Sequence, residues 1–171
     1  MTSNTPDLSP QAVPDYIADT AIIERALRGA IADQSDDFDP GQQFFLRQQP
    51  SYGESDNTDP SIDPATVVES GAHVVFEFDD GDRVSALRHD MPVVVVQPGM
   101  YVMEVYRVTS SVRAAREVVL LREKLALERY TLRAALAAEY VPAVELDKQL
   151  LKIRTVESQL TVSYGRLAAM V

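Results

Sequence analysis

The residues of this 171-residue sequence best suited to hold a metal or move a proton are its two histidines, His73 and His89, with the aspartates around them: Asp79, Asp80, Asp82 and Asp90. If the intervening stretch folds as a hairpin about Asp80–Gly81, both histidines lie near its open end. With Asp90 they would make a two-histidine, one-carboxylate set of the kind that suits a transition metal. Neither histidine has a second ligand at a diagnostic spacing, so the expectation is two strand-end histidines and no metal. The stretch DQSDDFDPG offers Asp33, Ser35 and Asp37 at the first three ligand positions of a calcium loop. It places Phe38 where that loop needs glycine and Phe44 where it needs a bidentate glutamate. A solvated acidic loop is the expectation there.

Nucleophilic chemistry has equally little to stand on. There is no cysteine, hence no thiolate, disulfide or cysteine-bound metal. No serine sits in a GxSxG elbow, and the seven glycines are scattered, with no phosphate-binding loop among them. No catalytic residue, cofactor or small-molecule substrate is expected, and the reading is of a protein that is not an enzyme.

Charge divides the chain into three parts. Residues 1–66 carry twelve acids and three bases, residues 67–108 seven and three, and residues 109–171 seven and ten; together they give the net −10. Seven of the ten prolines fall in the first part. An acidic chain repels nucleic acid and anionic lipid, so neither is an expected partner. No run is long and apolar enough to span a membrane, and the start of the chain lacks the features of a signal peptide.

The elements that would position any site follow from periodicity. Residues 1–66 read as an extended acidic arm with one short helix at about 14–32. In that helix Ile23, Leu27, Ala30 and Ile31 make an apolar stripe and Arg25 and Arg28 suit its C-terminal end. Residues 33–64 are rich in Asp, Pro, Gln and Ser and should lack regular structure. Inside that polar stretch Phe44, Phe45 and Leu46 form a bulky apolar cluster that must be buried, against its own domain or on a partner. Residues 67–108 read as a β domain. HVVFEFDDGDRVSALRHD alternates with period two about the tight-turn pair Asp80–Gly81, and a second hairpin turns at Pro98–Gly99. With Val67–Val68 as a short fifth strand, a small antiparallel sheet or open barrel results.

Residues 109–171 read as a long helical hairpin. Thr109, Ser110 and Ser111 offer an N-cap, and no glycine or proline intervenes before Tyr140. Val118, Leu121, Leu125, Leu132 and Leu136 share one face, with Leu120 and Leu127 off it. Leu146, Ile153, Leu160 and Leu167 recur every seven residues, a coiled-coil-like seam interrupted in its companion row by Gln149 and Ser163. Pro142 cannot continue a helix but suits the first turn of a new one. The two segments have nearly equal lengths, which favours an antiparallel hairpin over one kinked rod.

The fold class is therefore α+β, a β domain followed by a helical hairpin. That order is similar to the layout of ATP synthase epsilon subunits, from which the long arm and longer helices depart. The function expected is structural: a subunit of an assembly, most concretely a viral or phage particle component such as an adaptor, cement or tail protein, located in the virion. Its expected partner-binding residues are Phe44, Phe45, Leu46, Leu120, Leu127, Leu146, Ile153, Leu160 and Leu167. The alternative is a cytoplasmic regulatory or chaperone-like adaptor for a protein partner, and a metal-dependent enzyme comes last.

Overall fold

A computed structural model describes residues 20–49, 60–96 and 101–171. In chain order these form helix α1 (Ala21–Arg28) and strands β1 (Gln43–Gln48), β2 (Ile62–Ser70), β3 (His73–Phe78), β4 (Arg83–Leu87), β5 (Val93–Val96) and β6 (Tyr101–Arg107). Helices α2 (Ser110–Ala137) and α3 (Ala143–Met170) follow. All strand pairs are antiparallel, in the order β4-β3-β2-β1-β6-β5. The sheet curls until its edge strands β4 and β5 come alongside each other, a nearly closed barrel.

Two cores result, one on each face of the sheet. Inside the barrel Phe38 stacks on Phe44 with ring centres 4.9 Å apart, and both meet the edge of Phe76 at 6.2 and 6.0 Å. Leu46, Val67, Val74, Val94 and Val105 fill the space around them. Outside the barrel Phe45, Ile62 and Tyr106 pack with Ile23, Ala26 and Leu27 of α1 and with Val112, Ala115 and Val119 of α2. Alternation along β1 explains the split: Phe44 and Leu46 point to one face, and Phe45 and Arg47 to the other.

The sheet followed by a helical hairpin, with one short helix ahead, agrees with the expected fold. The sheet draws on more of the chain than residues 67–108. The stretch expected to lack regular structure supplies β1, which lies between β2 and β6, and β2 begins at Ile62 and absorbs Val67–Val68. The sheet thus has six strands, and the cluster at Phe44–Leu46 is buried in the chain's own cores. The expected helix at 14–32 is shorter among the described residues, ending at Arg28; residues 14–19 lie outside them. After Gly29 the chain turns extended, and Ala32 N donates to Val105 O at 3.0 Å while Arg107 N donates to Ala30 O at 2.7 Å. Backbone pairing with β6 thus replaces the last helical turn.

The β3–β4 hairpin turns where expected, with Gly81 at φ 91°. Strands β5 and β6 also pair as expected, and the Pro98–Gly99 turn between them lies outside the described residues. Thr109 caps α2, its hydroxyl accepting from Val112 N at 3.2 Å. Pro142 starts α3: its carbonyl accepts from Glu145 N at 3.0 Å, and the two long helices pack antiparallel. The corner needs no glycine because Ala138 and Pro142 are both extended, at ψ 148° and 138°, and neither requires a left-handed backbone.

Candidate functional site

The hairpin is covered along half its length. Its seam buries Val118 and Leu125 of α2 against Ile153, Val156, Leu160 and Leu167 of α3. The two polar residues in that seam are both satisfied. Gln149 donates to Glu128 O at 2.9 Å and to its carboxylate at 2.6 Å, and Ser163 Oγ donates to Glu117 at 2.6 Å. Near the barrel, α1 and the sheet cover a second face of α2. Beyond Leu125 no residue of α2 is fully buried, and on α3 burial begins only at Gln149. The distal part, residues 126–148, therefore extends beyond the buried part of the seam, by roughly 18 Å along α2 at 1.5 Å per residue over residues 126–137.

Large apolar side chains stand on that part. Leu127 is 63% exposed, Tyr130 70% and Tyr140 84%, and Leu136 and Val144 are similarly open, as is Leu151 just past this part on α3. Burying each would contribute about 1.5–3 kcal/mol. These side chains stand on more than one face of the hairpin, Leu136 on the stripe of Leu125 and Leu132, and Leu127 off it.

The nine residues expected to bind a partner separate into two groups. Leu120 and Leu127 are exposed, and Leu146 is half-buried. Phe44, Phe45, Leu46, Ile153, Leu160 and Leu167 are buried within the chain, so assigning them to a partner is corrected. The heptad seam is closed by the chain's own α2, and the aromatic cluster by its own barrel. Tyr130, Leu136, Tyr140, Val144 and Leu151 join the exposed set without having been expected there. The spacing Leu120, Leu127, Tyr130, off the main seam at helical intervals, was the available signal for the first of them.

The polar clusters serve the fold. Arg107 grips Asp36 through two hydrogen bonds, Nε at 2.7 Å and Nη2 at 2.8 Å, and reaches Asp33 at 3.3 Å. Asp33 also accepts from the Ser35 hydroxyl and from its backbone N–H, both within 2.7 Å. The would-be calcium loop is thus a turn clamped to β6 by a guanidinium. The Ser35 bonds, helped by Arg107, hold Asp33 below its ordinary pKa, and Arg107 does the same for Asp36.

On the outer face of β1, buried Arg47 pairs with Glu24 of α1 at 2.7 Å. Beside it Glu104 accepts from the Tyr106 hydroxyl at 2.8 Å and from Gln49. Burial, and then this carboxylate, push the Tyr106 phenol above its ordinary pKa. The arrangement anchors α1 to the sheet. His73 opens β3 opposite Leu87, while His89, in the turn of 3-10 helix after β4, meets Asp90 at 3.3 Å. Among the described residues no three of His, Asp and Glu converge in a way that would hold a metal ion, and no helix is long and apolar enough to cross a membrane.

No family model matches the chain, and no curated protein or solved structure matches it either.

Proposed function

We propose that the protein is a non-enzymatic structural subunit that assembles through the exposed half of its helical hairpin. The observation that carries this reading is the exposure of the large apolar side chains Leu127, Tyr130, Leu136 and Tyr140, all beyond Leu125, the last buried residue of α2. The barrel serves as the rigid body and spacer, and the hairpin supplies the seam. An adaptor, cement or tail component of a viral or phage particle works in this way, through surface burial alone. Light-scattering mass of the purified chain tests the reading. Assembly larger than a single chain is expected, and it should be lost when Leu127→Glu and Tyr130→Glu are combined. A strictly monomeric wild type across the accessible concentration range would refute self-assembly and leave an adaptor for a different protein.

A further inference from the structure

A groove runs along the flank of the hairpin that the barrel leaves bare. It has two adjoining parts, of about 490 and 510 Å3, which share Gln159. Only α2 and α3 line it, with no contribution from α1 or the strands. Its apolar surface includes Leu121 and Val156, and on α3 the exposed Leu151 (65%) and Val162 (62%).

The charge of this groove is unbalanced. Lys124, Lys148, Lys152 and Arg166 border it, against Glu117 and Glu128. Both glutamates are engaged inside the hairpin, Glu117 by Ser163 and Arg166 and Glu128 by Gln149. Among the described residues neither Lys124 nor Lys152 has an ion-pair partner. A second copy presenting the same flank would set lysine against lysine. The groove suits an occupant that is apolar and acidic.

We infer that this occupant is the chain's own N-terminal segment, residues 1–19. The inference rests on the proposed reading only in treating the hairpin as a docking element, and it does not require a second copy. Residues 1–19 hold Asp7, Asp15 and Asp19, no lysine or arginine, and the apolar Leu8, Val13, Tyr16 and Ile17. The segment joins the structure at Thr20, directly before α1, which packs on both hairpin helices. Nineteen extended residues span roughly 60–70 Å. The hairpin is about 42 Å long, so the whole groove is within reach. The other acidic stretch, residues 50–59, is tied at both ends to the sheet and has only Tyr52 as a large apolar group.

The absence of cysteine from the 171 residues makes the test direct. A paramagnetic label on Ser9→Cys should broaden the amide signals of Leu151, Thr155 and Val162. The broadening should vanish with Lys124→Glu and Lys152→Glu together, and return when Asp7, Asp15 and Asp19 are changed to lysine in that background. High salt should weaken it, since screening shortens to about 3 Å at 1 M. No broadening at low salt, or broadening indifferent to the lysine changes, would overturn the inference. So would broadening by a label on Ser55→Cys in place of Ser9→Cys, which would name residues 50–59 as the occupant. Mixing labelled and isotope-enriched chains separates docking within a chain, the expected outcome, from docking between chains, which would overturn the assignment to the chain's own segment. Light scattering on the same samples keeps the two readings apart: a monomer with the expected broadening would sink self-assembly and leave the occupant standing.

Discussion

The two halves of the hairpin are made of the same kinds of residue in different surroundings. Near the barrel, Val118, Leu125, Ile153 and Leu160 close a seam, and Val112, Ala115 and Val119 press a second face on α1 and the sheet. Farther out the helices still touch through Gln149 and Glu128, but Leu127, Tyr130, Leu136 and Leu151 face water. Leucine is abundant in both halves, so composition does not separate them. The barrel beneath one half does. The covered half holds most of the buried side chains of the hairpin, and the far half leaves its apolar side chains in water.

Substitutions can sharpen or break that contrast. The largest effect is expected from Leu160→Ala, a buried residue of the covered half. A loss of about 2–5 kcal/mol in chemical denaturation is the outcome for a filled core site, and a loss within about 0.5 kcal/mol would mean the halves do not differ. Gln149→Ala, at the boundary, removes the donor to Glu128 and should cost about 1–3 kcal/mol by leaving part-buried acceptors unpaired. Full stability in that variant would make the boundary contact dispensable.

Arg107→Gln tests the barrel side through pH. Asp36 has its pKa held below the ordinary 3.8, chiefly by Arg107. Its contribution is therefore present above that value and lost as pH falls through the lower folded one. Wild type and variant should differ near neutral pH and converge in strong acid. A difference that persists unchanged in acid would assign Arg107 a role other than pairing. The smallest change in stability is expected from Leu127→Ala, within about 0.5 kcal/mol, together with a marked loss of assembled mass. A large loss of stability in the isolated chain would show that Leu127 is covered after all.

The hairpin was legible because its signals are local. Pro142 between two segments of equal length, and a heptad row from Leu146 to Leu167, require no knowledge of distant residues. Strands β3 and β4 were legible for the same reason, since one face is buried and the alternation survives. Strand β1 was not. It has helices on one face and the barrel interior on the other, so four consecutive residues, Phe44 to Arg47, are buried and period two disappears. Strand β2 was disguised by Pro64, which sits opposite Phe45 in the ladder although proline is rare in central strands. The site was legible in part. Leu120 and Leu127 fell off the main stripe and are exposed. Ile153, Leu160 and Leu167 could not be assigned, because a heptad row has the same spacing whether α2 or another chain fills it. Leu151 and Val162 escaped notice because the small polar Thr155 and Ser158 lie between them.

The place of β1 in the sheet has a consequence for how the chain is made. Among the described residues it is the strand that links the β4-β3-β2 meander to the β6-β5 hairpin by hydrogen bonds. Its first partner, β2, follows closely, but its second, Tyr101–Arg107, is synthesised more than fifty residues later. At about 5–20 residues per second the ribosome leaves one edge of this apolar strand open for several seconds. That open edge closes only when β6 arrives, so the centre of the sheet is completed late in synthesis although β1 is the first strand made.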